Sequence, residues 1–287
     1  MTRLRTFGLP GCVDGTDSDV ALANQLVEAW KTDMRFQISC DRWQTRRVDD
    51  TFEAGRRFFA QPADLKSRCV SDLTYAGYTA TEDLETYTVC QDISLHDVRV
   101  QAQWPGHGPV PWPSMEHRRT MRNYMDEMRR IGDKLAHLIG IGLGITDFEA
   151  LTSLTDDGWH HLVVQQFRSA RPEVGKYGLL AITADEESGT LTVTPGEMMR
   201  FLTNGTLRPG PPAVRQKCQV MTYFHEPSFD VALRPLLGPD HGCVHYGTHF
   251  TDVYLRRFPD RITSRRILAE GRLAVLADMS RRASVGA

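Results

Sequence analysis

From Trp159 to Phe224 the chain is a succession of short β-rich runs, and this pattern constrains the fold more than any other feature. "HHLVVQQF", "YGLLAIT", "TLTV", "MMRFLTNG" and "CQVMTYF" are separated by Gly, Pro and polar turns. Several short strands at this spacing point to a sandwich or barrel. Leu179, Leu180 and Ile182 stand ahead of a polar turn at Asp185–Gly189, and Leu191 and Val193 stand behind it. Such a hairpin would wall a small-molecule pocket.

Upstream the pattern is helical. In "DSDVALANQLVEAWKTD", Asp17, Ser18 or Asp19 can serve as N-cap, and Val20, Ala23, Leu26, Val27 and Trp30 recur at helical spacing. "FQIS" reads as a short strand, and "VDDTFEAGRRFFAQP" as a second helix stopped by Pro62. "WPGHGPVPWP" (104–113) is too rich in proline for either and is expected as an extended surface segment. The longest helix is expected from Ser114 to about Gly140, with Met121, Tyr124, Met128, Ile131, Leu135 and Leu138 facing a core. The glycines of "GIGLGI" (140–145) follow this helix and read as its C-cap. "ITSRRILAEGRLAVLADMSRR" returns to helix, capped by Thr263 or Ser264 and weakened at Gly271.

At 287 residues, with no repeat and no low-complexity linker, one domain is expected. It divides into a mainly helical layer (1–150), a β core (151–262) and a terminal helix (263–287). A net charge of −2 gives no support to a nucleic-acid or membrane-surface partner, so the partner expected is a small molecule. No stretch approaches the roughly 18 apolar residues of a membrane span. Six scattered cysteines without a C-x-x-C pair read as reduced thiols of a cytoplasmic protein.

A β core behind a helical layer often hosts a non-haem iron centre, which needs two histidines and a carboxylate on one face of the metal. The usual form is His-x-Asp or His-x-Glu with a distant second His. None of the ten histidines has an acid two residues on. His96–Asp97 and His225–Glu226 are adjacent pairs, whose side chains would point to opposite faces of a strand. His245 and His249 are four apart, but Gly247 lies between them and no Glu follows the first. The metal set expected from these residues is none. No G-x-S-x-G, Walker loop or G-x-G-x-x-G is present. The cluster "YLRRFPDRITSRR" (254–266) could hold a carboxylate or form a solvated surface.

"CVSDLTYAGY", "WPGHGPVPWP", "DGWHH", "YFHEPSF" and "HYGTHFTDVYLRRFPDRIT" resemble the bacterial and fungal ethylene-forming enzymes over nearly the whole chain. These belong to the isopenicillin-N-synthase-like group of 2-oxoglutarate- and iron(II)-dependent oxygenases. The resemblance implies an α+β fold, a double-stranded β-helix (jelly roll) core with an N-terminal helical layer and a C-terminal helix. It also implies Fe(II) and 2-oxoglutarate as cofactors, conversion of 2-oxoglutarate to ethylene or succinate, and an arginine-like second substrate.

Its site residues carry over only in part. The family's His-x-Asp precedes a "YGLL" word; here Val174, Gly175 and Lys176 precede Tyr177–Leu180. The second iron His falls in a Pro-His-x-Val word, which here is Pro211–Pro212–Ala213–Val214. Two arginines of the strand after His-His stand as Val163 and Gln166. Segments missing at active-site loops would explain the shortened words, but not these two changes inside aligned strands. What carries over is Arg256, Tyr177, His160 and His161 on the substrate side, with Arg215 or Lys217 gripping the 2-oxoglutarate carboxylate after a register shift. The expectation is a divergent member that does not bind Fe(II) or 2-oxoglutarate. A family oxygenase, a non-catalytic binding protein, and a metal-independent lyase or isomerase using His160 or His161, Arg256 and Tyr223 are the alternatives.

Overall fold

The computed structural model describes residues 4–285 except 148, 173–177, 187–188, 212, 216–217 and 240–241. Strand β1 (Thr6–Phe7) precedes helix α1 (Asp17–Asp33). The α1 cap is Thr16, one residue before the acidic run: its hydroxyl accepts from Asp19 N, and the Asp19 carboxylate accepts from Thr16 N. Strand β2 (Phe36–Ser39) leads into α2 (Arg42–Phe59). This helix begins six residues before the sequence pattern suggests, because Asp41 and Gln44 form a capping box ahead of a polar first turn. The short α3 (Ala63–Ser67), β3 (Gly77–Ala80), β4 (Leu84–Val89) and α4 (Val98–Gln101) follow.

The proline-rich segment is a correction. Pro105–Gly108 is buried, and the His107 ring stacks on Trp159 at 4.2 Å. Pro removes backbone donors that would have to be satisfied inside, and aromatic contacts supply the burial. Helix α5 (Met115–Gly142) runs close to the expected span, with Ser114 as its N-cap.

The β-rich region supplies β5 (His161–Phe167), β6 (Arg171–Pro172), β7 (Leu180–Asp185) and β8 (Thr190–Pro195). "MMRFLTNG" is not a strand: Glu197–Leu202 forms α6, burying Met198, Met199 and Leu202 at helical spacing. Strands β9 (Val214–Arg215), β10 (Gln219–His225), β11 (Ala232–Leu233) and β12 (Val244–His245) follow. Then come α7 (Tyr246–Arg257), α8 (Ile262–Ala269) and α9 (Leu273–Val285). The terminal helix is thus two helices, broken where Gly271 takes φ +66°. Thr263 is not the α8 cap; its hydroxyl bonds the Ser71 and Thr74 carbonyls instead.

Eight strands form the main sheet in the order β1-β2-β8-β7-β10-β5-β4-β3, and β11-β12 and β6-β9 are two-stranded. All pairings in the main sheet are antiparallel except β1 with β2. Register sorts the side chains into two faces. Leu162, Val164, Ile182, Val193 and Met221 lie on the face covered by α1, α2 and α5, in one continuous core. Each such residue contributes about 1.5–3 kcal/mol on burial. The opposite face carries Thr88, Val163, Thr183, Ala181, Thr222 and Phe224.

Candidate functional site

On that second face, between β3–β4–β5 and helix α7, lies a cavity of about 570 Å³, within the range of ligand pockets. Thr86, Thr88 and Val163 form its floor, and Tyr75, Phe250 and Tyr254 a ring-lined wall. Val163, Ala181 and Phe224 make a small apolar cluster separate from the main core. Alternation along β5 sends His161 and Val163 to this face and Leu162 and Val164 to the other.

The cavity backs onto a buried acid. Glu226 is fully buried, and its carboxylate accepts from the Tyr246 hydroxyl. Its Oε1 lies 3.6 Å from His161 Nδ1 and makes no hydrogen bond. Burial pushes the Glu226 carboxyl well above the usual carboxylate range and holds His161 down at about 4, so the imidazole is neutral at pH 7. Gly178, at φ +69°, makes room: a Cβ there would stand 2.3 Å from Glu226 Oε2. The His161 ring stacks on Phe224 at 4.7 Å. The α7 N-terminus is fixed by His245, whose Nδ1 accepts from Thr248 N at 3.2 Å, so His245 caps the helix and His249 lines the cavity.

His160 and His161 part company. His160 faces the helices, stacked on His225 at 4.5 Å, and its Nδ1 accepts from Glu226 N at 3.0 Å. A neutral ring accepting at Nδ1 carries its proton on Nε2. His160 lines a smaller cavity of about 350 Å³ with Tyr223, Asp126, Arg129 and Asp156. Tyr223 shares that side, so the two sites do not meet. Arg256 is exposed at the end of α7, and Arg257 and Arg261 line the first cavity in its stead. Arg215 pairs with Asp185 at 2.8 Å, outside the cavity. Tyr177 and Lys217 lie outside the described residues. Of the two positions where the resemblance expects arginine, Val163 lines the cavity, but Gln166 faces the helix side, opposite Gln219.

These residues do not fit an iron centre with 2-oxoglutarate. Among the described residues no group of three His, Cys, Asp or Glu side chains could hold a metal ion. His161 and Glu226 approach each other without a third ligand among the described residues, and Val163 stands on the floor where the resemblance places an arginine. Glu226 and Tyr246 were not singled out as site residues in the sequence. Strand alternation from Phe224 gives the signal for Glu226; nothing local gives one for Tyr246, which reaches it from a helix.

Residues 8–115 match the family "non-haem dioxygenase in morphine synthesis N-terminal". The chain is similar in structure to a 2OG-Fe(II) oxygenase family protein from Caulobacter crescentus (TM-score 0.73, 14% identity, 88% of this chain and 99% of that one). It is also similar to a Neurospora crassa protein in complex with alpha-KG and 5-formyluracil (TM-score 0.70, 16% identity, 85% and 93%). These likenesses establish the fold, an α+β jelly roll. The 2-oxoglutarate-dependent ethylene/succinate-forming enzyme of Ralstonia nicotianae is 35% identical over 98% of this chain and 99% of its own. The alignment runs over 346 positions, more than the 287 residues here, so the relative carries segments that this chain lacks. Matched end to end at that identity, the chain belongs to the 2-oxoglutarate-dependent oxygenase family of the ethylene/succinate-forming enzymes.

Proposed function

We propose that this family member binds a small organic molecule in the cavity beside α7 and does so without an iron centre, as a non-catalytic binding form of the oxygenase scaffold. One observation carries the reading: Val163, packed in an apolar cluster with Ala181 and Phe224, stands on the cavity floor where the resemblance calls for a co-substrate arginine. Val163 and Phe224 beside ring-bearing walls favour an organic ligand with an apolar body to bury over 2-oxoglutarate, which has none. A cytoplasmic setting belongs to the same reading, in keeping with six cysteines that are free of disulfides.

A second reading is oxygenase turnover of 2-oxoglutarate with an arginine-like second substrate. The end-to-end match to the Ralstonia enzyme supports it. Metal analysis of the purified protein, joined to an aerobic 2-oxoglutarate titration, separates the two. The binding reading expects no stoichiometric iron, a melting temperature unmoved by EDTA, and no ethylene or succinate. One iron per chain together with succinate release overturns it in favour of turnover.

A further inference from the structure

One end of the cavity holds a cation without an anion. Arg261 is half-buried at the turn between α7 and α8 and lines the cavity. Its Nη2 donates to the Ala76 carbonyl at 3.1 Å. Its Nε is buried and makes no hydrogen bond, and no carboxylate among the described residues pairs with it. The neighbouring Asp260 is exposed and faces Arg265 at 4.0 Å. Desolvating a guanidinium without an anion is costly, so a native site that does so is incomplete as it stands.

Two further donors share this end. Tyr75 and Tyr254 are more than nine-tenths buried, both line the cavity, and both hydroxyls lack a partner among the described residues. The Tyr254 hydroxyl lies near those of Thr263 and Ser264 without a hydrogen bond of normal geometry. The two tyrosine rings stand 5.5 Å apart. The Arg261 charge is close enough to act on both phenols, against the burial that raises them. Three unpartnered donors, one of them charged, therefore cluster beside an aromatic wall. Tyr75 lies 5.2 Å from Phe250, which lines the cavity with Phe224 and Phe258.

We propose that the ligand of this cavity is an aromatic carboxylic acid, its carboxylate seated on Arg261 with Tyr75 and Tyr254 and its ring against Phe224 and Phe250. The inference rests on the small-molecule reading above and names the class of ligand. A carboxylate supplies the acceptors that all three donors lack, and its charge neutralises the half-buried guanidinium. Phe224 and Phe250, with Val163 beneath, take the ring.

The test uses phenylacetate and its uncharged isostere phenylacetamide, titrated calorimetrically into the full chain. Phenylacetate is expected to bind at least about tenfold more tightly than the amide, the scale of a charge-assisted pair. Arg261→Gln should bring the two affinities together, and Arg261→Lys should restore part of the preference. Arg261→Gln also loses its bond to Ala76, so Tyr75→Phe provides a check that removes only an unpartnered hydroxyl. It should lower the acid-to-amide ratio by about threefold with an unchanged melting temperature. Equal binding of acid and amide overturns the carboxylate seat while leaving a small-molecule pocket in place. Binding of neither compound overturns the proposal as well, and the metal analysis then judges the pocket reading independently.

Discussion

The two faces of the main sheet are built from the same strands by opposite rules. The helix side presents Leu162, Val164, Ile182, Val193 and Met221, all part of one core sealed by α1, α2 and α5. The cavity side presents Thr88, Thr183, Thr194 and Thr222 around the three-residue cluster of Val163, Ala181 and Phe224. Branched threonines keep β propensity while leaving hydroxyls for whatever enters. The first face holds the fold together, and the second is free to change chemistry without loss of the fold. That division explains how a chain can keep the family's architecture while placing Val163 where an arginine is expected.

Adjacent residues on β5 test the division most severely. Val164→Asp puts an unpaired charge into the sealed core and should cost more than about 4 kcal/mol, leaving little or no folded protein. Val163→Asp places the same charge at the cavity floor, where water can reach it, and should cost about 2 kcal/mol or less. Urea unfolding of the two variants measures the difference. Equal losses would mean that the cavity face is as essential to folding as the helix face.

How legible this was in the sequence follows the same line. Strand positions and the long helix depend on local periodicity, and "HHLVVQQF" and the run from Ser114 disclose them without help. The alternation rule also separates the adjacent pair: His225 stacks on His160 on the helix side, and Glu226 meets Tyr246 on the cavity side. What local pattern cannot carry is contact between distant segments. The burial of His107 depends on Trp159, and the partner of Glu226 is Tyr246 from a helix twenty residues on. His160 and His161 look interchangeable as text, yet they occupy opposite faces and different cavities. The arginines of "YLRRFPDRITSRR" are alike in the sequence, and only the turn after α7 brings Arg261 inside.

Acidification probes both faces at once. Burial holds His161 at about 4 on the cavity side and His225 at about 3 on the helix side, with His107 also near 3 and His117 near 4. These rings stay neutral in the fold but gain protons in the unfolded chain below its ordinary value near 6.5. The unfolded state therefore binds more protons, and stability present above pH 6.5 is lost as pH falls toward 4. Each histidine removes up to about 1.4 kcal/mol per pH unit over that window. Glu226 opposes them with one proton, because its raised pKa favours the fold on the acid side. Urea midpoints measured from pH 7.5 to 4.5 should fall with pH. The slope should become shallower in His161→Phe and steeper in Glu226→Gln. A flat or rising profile in the parent protein would contradict the neutral, buried state of these histidines.

The smallest expected effects contrast two buried tyrosines. Tyr246 donates its hydroxyl to Glu226 on the cavity side, and among the described residues that carboxylate has no other hydrogen-bonding side chain. Tyr223, on the helix side, has a buried hydroxyl with no partner among the described residues. Removing one member of a buried pair strands the other, whereas removing an orphaned group strands nothing. Tyr246→Phe should therefore cost about 1–3 kcal/mol in urea unfolding, and Tyr223→Phe should fall within about 0.5 kcal/mol of the parent or stabilise it. If Tyr223→Phe proves the costlier, its hydroxyl has a partner in the smaller cavity. The helix face would then harbour a polar site of its own, and the division between a structural face and a chemical face would have to be redrawn.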